Sequence, residues 1–178
     1  MEIIDLSLSL YTGMPVYPGD PEASIERIQT ITERGWELRR IQISSHHGTH
    51  VNVPSHGIAG GKTLDEYSLS DFCGRARIHQ PHARMSPAEG ILFRDETIDD
   101  RIAEEIKRVR PRFIGLSCSY DLDARIEKDL LAAGIISFEN LANLNELPES
   151  FVFYGMPLRI RGGDGSPVRA FAVVEASI

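Results

Sequence analysis

Four of the six histidines fall within eleven residues, His46-His47-Gly48-Thr49-His50-Val51-Asn52-Val53-Pro54-Ser55-His56. Side chains of an extended strand alternate between two faces, so His46, His50, Asn52 and His56, all at even positions, share one face if the segment runs straight. Three imidazoles and a carboxamide then converge. The odd positions Val51 and Val53 are β-branched and suit burial, and Gly48 and Pro54 argue against a continuous helix. Imidazole is the commonest neutral metal ligand and also titrates near neutral pH. The cluster could therefore bind a metal ion, shuttle protons or do both, against the alternative of histidines placed there for packing alone. Cys73 and Cys118 belong to no paired CxxC arrangement, and Cys118, within the apolar run Phe113–Cys118, is expected as a buried small side chain rather than a nucleophile.

The chain that must position these groups has 178 residues, 42% hydrophobic and 25% charged, with a formal charge of −7. That length is expected to form a single domain over residues 1–178, which buries about 70% of the surface its unfolded form exposes. The negative charge argues against general attraction to nucleic acid or to an anionic membrane, which leaves a small molecule or another subunit as partner. The opening Met1-Glu2-Ile3-Ile4-Asp5 lacks the basic flank and apolar run of a secretory signal, and no apolar stretch is long enough to span a bilayer. The expected compartment is the cytoplasm.

Residues 2–10 alternate with the period of a half-buried strand, Ile4, Leu6, Leu8 and Leu10 on one side. Gly13 to Pro21 holds three prolines and two glycines in nine residues and reads as loop. Ile25–Thr32 and Trp36–Ser45 read as strands around the turn Glu33-Arg34-Gly35, the second leading into the histidine segment. Ser68–Phe72 offers a helical turn, and Arg75–His79 and Ile91–Phe93 are strands. Thr97–Asp100 opens a helix with apolar stripe Ile98, Ile102, Ile106 and closing Lys107-Arg108. Arg112–Ser119 as strand, Asp123–Ala133 as helix ended by Gly134, and Ile135–Glu139 as strand resemble a βαβ unit with parallel strands. A short helix at Leu141–Leu147 and strands Phe151–Arg159 and Val168–Ala176 complete an α/β reading with a mixed sheet.

These residues resemble the cyclase/arylformamidase family, kynurenine formamidase-like metal-dependent hydrolases marked by His-x-Gly-Thr-His-x-Asp-x-Pro-x-His. His46, Gly48, Thr49, His50, Pro54 and His56 match that pattern. The loop Met14–Pro21, Gly61–Asp65, Gly134–Leu141 and Gly162–Arg169 also look like family segments in family order, so the resemblance covers nearly the whole chain. It implies a compact α/β domain of swivelling β/β/α type with a β-rich mixed core. It further implies a homo-oligomer, dimer or tetramer, that hydrolyses an amide, formamide or lactam of a small molecule with zinc or manganese, one or two ions. By the same resemblance His46, His50 and Glu139 correspond to metal ligands, His56 to the proton-transfer residue, and Tyr17 to an aromatic beside the substrate. Two positions depart. Asn52 stands where the family has Asp, and Glu127 where it has His. If both still face the site, the set is His46, His50, Asn52, Glu127 and Glu139, an oxygen-rich group that favours manganese or magnesium over zinc, or one ion over two. A metal-free binding relative and a polyketide-type cyclase are the rival readings.

Overall fold

The computed structural model describes residues 1–81 and 83–174. Strand β1 (Glu2–Asp5) is followed by a separate hairpin of β2 (Ser24–Gln29) and β3 (Leu38–Gln42), joined through one helical turn, α1 (Ile31–Arg34). The other strands are β4 (His50–Asn52), β5 (Cys73–Ile78), β6 (Gly90–Phe93), β7 (Ile114–Ser117), β8 (Ser137–Leu141), β9 (Ser150–Tyr154), β10 (Gly165–Pro167) and β11 (Phe171–Val174). With β1 they build a nine-stranded sheet in the order β1-β11-β9-β5-β6-β7-β8-β4-β10. The central β5, β6, β7 and β8 run parallel, and every other pairing in the sheet is antiparallel.

Two helices bridge the parallel strands: α2 (Asp100–Val109) between β6 and β7, and α3 (Ala124–Ala132) between β7 and β8. The unit β7-α3-β8 is the βαβ element the sequence predicts, and Gly134 turns the chain out of α3 at φ +78°. Asp99 caps α2 by accepting from the Ile102 N–H, and Ile102, Ala103 and Ile106 are buried. The period-2 pattern of the strands separates two cores. Ile91, Phe93, Ile114 and Leu116 pack with Ile102, Ile106, Ile126 and Leu130 on the helical side. Leu92, Val51, Val53, Phe113, Phe138 and Phe153 pack with Ile4 and Leu6 on the other.

Several expected elements are shorter than their patterns. β1 ends at Asp5; Ile4 and Leu6 are buried but Leu8 and Leu10 are not, because the Leu8 N–H is taken by Thr49 Oγ1 (2.9 Å) instead of a neighbouring strand. The strand expected over Ile25–Thr32 stops at Gln29, where Thr30 caps α1 and Gly35 closes it at φ +81°. The helix expected over Leu141–Leu147 is a 3-10 turn, Leu144–Glu146. β9 stops at Tyr154, before Gly155, where a Cβ would meet Phe138 Cε1 at 2.4 Å. The final strand starts at Phe171 rather than Val168, which bridges Pro157, and residues 175 and 176 lie outside the described ones. Cys118 is exposed, not buried, since β7 ends at Ser117 and the chain turns outward. Among the described residues no helix is long and apolar enough to cross a membrane.

Candidate active site

The histidine segment does not run straight. Only His50–Asn52 is strand; His46 to Thr49 form a turn before it and Pro54–His56 a 3-10 turn after it. Gly48 sits at φ +64°, the left-handed region that favours glycine, and a Cβ there would displace the Leu10 side chain, whose Cδ2 would lie at 2.7 Å. Thr49 Oγ1 donates to the Asn140 carbonyl (2.6 Å) and thereby ties the turn to β8. In the antiparallel register His50 faces Glu139, Val51 faces Phe138 and Asn52 faces Ser137. Val51 and Phe138 enter the aromatic core, so His50, Asn52, Glu139 and Ser137 point to the opposite face. The strand geometry thus accounts for His50 and Asn52, while the turns on either side bring in His46 and His56.

Glu127, in the first turn of α3, reaches the same place. The Asn52 amide donates to Glu127 Oε1 (2.8 Å) and to Glu139 Oε1 (2.5 Å). Its Oδ1 lies 2.8 Å from His46 Nδ1, and His46 Nε2 donates to Asp164 Oδ2 (2.8 Å). His56 Nδ1 donates to the same Asp164 oxygen (3.3 Å), and its Nε2 is 3.9 Å from Glu127 Oε1. The rings of His46 and His56 lie 3.9 Å apart between centroids, and His50 meets His46 edge-on at 5.3 Å.

Burial, the Glu127 charge and the contact between the two carboxylates raise Glu139 to about 8, against the opposing bond from Asn52. Burial holds His50 down to about 4 despite the bond from its Nδ1–H to the Gly48 carbonyl (2.8 Å), and the neighbouring histidines add to the lowering. Neutral His50 with Nδ1 protonated has its Nε2 lone pair open, the state a metal ligand requires. Burial raises Asp164, but hydrogen bonds from His46, Ser45 and His56 outweigh it and hold the carboxyl at about 2.

These groups fit a divalent cation. Two carboxylates touch on a buried face, and among the described residues no lysine or arginine pairs with either. His46 stands between two oxygen acceptors, each of which needs a ring N–H or a cation in its place. Ser137 Oγ, opposite Asn52, is buried without a hydrogen-bond partner among the described residues. Ligand atoms of His46, His56 and Asp164 lie within 4.8 Å of one another, which makes a second group of potential donors at the outer side of the cluster.

The structure brings His46, His50, Asn52, His56, Glu127 and Glu139 together. It corrects the expected place of Glu139, which is the middle residue of β8 rather than its end. Glu127 is turned inward, its side chain only 17% exposed, instead of lying on a solvated helix face. Tyr17 is not drawn in: its side chain is exposed, although Met14 of the same loop packs beside Gly48. Asp164 and Ser137 are the groups the sequence reading missed. Asp164 carried a signal, an acid enclosed by glycines in Gly162-Gly163-Asp164-Gly165, whereas a serine inside a strand carries none.

The sequence pattern of the family described as "Putative cyclase" matches residues 4–124. The chain is 29% identical to a kynurenine formamidase of Salinibacter ruber, over 96% of each chain. Among solved structures it resembles a "Potential Metal-Dependent Hydrolase With Cyclase Activity" at TM-score 0.78 and 26% identity, over 96% of each chain. It also shares the fold of an isatin hydrolase bound to thioisatinate, at TM-score 0.82 and 18% identity, over 98% of this chain and 93% of that one.

Proposed function

Because this chain belongs to the cyclase family, we propose that it is a metal-dependent hydrolase that opens the C–N bond of a small formamide, amide or lactam, with His56 moving the protons. The observation that carries this reading is the contact of Glu127 and Glu139 through Asn52 beside a neutral His50, an electron-rich cluster with which no lysine or arginine among the described residues pairs. Kynurenine formamidase relatives support the bond type. His46, His50, Asn52, Glu127 and Glu139 would hold one divalent ion, manganese favoured over zinc by the oxygen donors. Such an ion lowers the pKa of water and polarises a carbonyl. His56 Nε2 takes the proton of the attacking water and returns it to the leaving nitrogen, so the enzyme ends the cycle unchanged. Tyr17, on the loop whose Met14 touches Gly48, is assigned to the substrate at the rim.

Titration of chelator-dialysed protein with manganese and with zinc, followed by assay on an N-formyl arylamine, tests this reading. About one equivalent of ion together with restored turnover is the expected result, and no binding of either ion overturns it. The proton on Glu139 must leave as the ion enters, so apparent affinity is expected to rise with pH up to about 8 and to level off above. Calorimetry in buffers of different ionisation enthalpy should show proton release below about pH 8 only. The metal-free protein has a linked stability trend. Glu139 retains its proton in the folded state where the unfolded chain has lost it, so stability falls as pH rises from 4.5 to about 8.

The hairpin supports a homo-oligomer. Every residue of β3 is exposed, and Trp36 and Ile41 are 68% and 61% accessible beside Ile28, Ile31 and Leu38. A two-stranded hairpin is marginal alone in water. It carries four arginines against three glutamates in a chain of net charge −7, which suits the acidic body of a second copy. Replacing Trp36 and Ile41 together by serine is expected to convert a dimer or larger species to monomer in sedimentation; an unchanged mass would exclude the hairpin as the contact.

A further inference from the structure

Asp164 has no role in the scheme above, yet its position is built with care. The Val53 N–H donates to its carbonyl (3.2 Å), while the Leu64 N–H (2.7 Å) and Ser55 Oγ (3.2 Å) both donate to the carbonyl of Gly163. The Gly162 N–H donates to Asp65 Oδ1 (2.8 Å), and the capping box around Thr63 holds that turn in place. On the far side Gly165 leaves no room for a Cβ, which would lie 2.6 Å from the Val51 carbonyl and 2.7 Å from His46 Cε1. The main chain on both sides of Asp164 is therefore fastened to the histidine segment itself. One oxygen, Oδ2, receives His46 Nε2–H at 2.8 Å and His56 Nδ1–H at 3.3 Å.

We propose that Asp164 is a positioning residue for the hydrolytic step: by accepting from Nδ1 it holds His56 in the Nδ1–H tautomer and turns Nε2, the nitrogen with the free lone pair, toward Glu127. A neutral imidazole has one donor and one acceptor nitrogen, so whichever nitrogen meets a carboxylate carries the hydrogen and the other becomes the base. In this structure the second nitrogen is the one 3.9 Å from Glu127 Oε1, on the side of the Asn52 and Glu139 cluster. Without Asp164 the carboxylate left beside the ring is Glu127, on the Nε2 side, and the ring can present its hydrogen where its lone pair is needed. The inference rests on the reading that His56 moves protons in a hydrolase.

The experiment compares the parent chain with Asp164→Ala and Asp164→Asn, each zinc-loaded and labelled with nitrogen-15. Long-range proton–nitrogen spectra give the tautomer of His56, metal analysis gives the ion stoichiometry, and turnover of an N-formyl arylamine gives kcat and KM separately. The parent is expected to show the Nδ1–H form. Asp164→Ala should lose that preference and lower kcat by about 10–100-fold, with KM and metal content unchanged. Asp164→Asn, which keeps an oxygen acceptor of the same shape, should retain the tautomer and recover part of the rate. An Asp164→Ala protein with the parental tautomer or the parental kcat overturns the proposal. So does loss of the ion, which would place the effect of Asp164 on metal binding, directly or through His46, rather than on His56. If Asp164→Ala does not fold, Asp164→Asn decides: a switched tautomer there overturns the assignment. The tautomer is read without substrate, so failure of the hydrolase reading and failure of this one are separately visible.

Discussion

His56→Ala lowers turnover of a formamide substrate by about 10²–10⁴ and leaves the divalent ion in place. The size follows from what the ring does: it is the group that takes a proton from water and delivers one to the leaving nitrogen, and an alanine methyl can do neither. Retention of the ion follows from where the ring sits. His56 belongs to a 3-10 turn outside β4, a third exposed at its side chain; it contacts Asp164 and the His46 ring, and it approaches the carboxylate pair only through Nε2, 3.9 Å from Glu127 Oε1. His46, His50, Asn52, Glu127 and Glu139 keep their mutual contacts without it. Paired measurements of kcat and metal content check both halves. Full activity removes His56 from the mechanism, while loss of the ion would place it among the ligands with His46 and Asp164, whose donor atoms lie within 4.8 Å of its own.

Phe138→Ala destabilises the protein by about 3–5 kcal/mol, close to the full cost of removing a buried aromatic ring. Phe138 is fully buried, with Phe113 edge-on at 5.5 Å and Phe153 at 4.8 Å between centroids. The space it vacates lies on the core face of the sheet, among Val51, Phe113 and Phe153. That strand also carries Glu139 on its other face, and the register that places His50 opposite Glu139 places Val51 opposite Phe138. The expected readout is a lower denaturant midpoint with an unchanged slope, and a Tm reduced by roughly 10 °C for a chain of this size. A loss below about 1 kcal/mol would mean that the aromatic core repacks freely, contrary to the density of protein interiors.

Much of the fold was legible because its signals are local. The stripe Ile98, Ile102, Ile106 and the helix opening at Thr97–Asp100, in which Asp99 is the cap, marked α2, Gly134 marked the end of α3, and the apolar run before it marked β7. The errors fell where a side chain from far away takes over a backbone group, as Thr49 does with the Leu8 N–H, or where a cap acts inside a strand-like pattern, as Thr30 does. The parity argument reached a true convergence by a route only partly followed: His50 and Asn52 share a face because they are in a strand, but His46 and His56 join them through turns.

What the sequence determined by itself was the identity of the histidine cluster, the family pattern around it and the βαβ order behind it, since each is encoded in spacings of a few residues to a few tens. The tertiary structure decided which acids meet that cluster. Glu127 reaches Asn52 across 75 positions of chain and Asp164 reaches His46 across 118, and such closures depend on sheet order and loop anchoring that no short spacing records. It also decided their charge, because two carboxylates become a proton-sharing pair only when folding removes water from between them and sets one against the other.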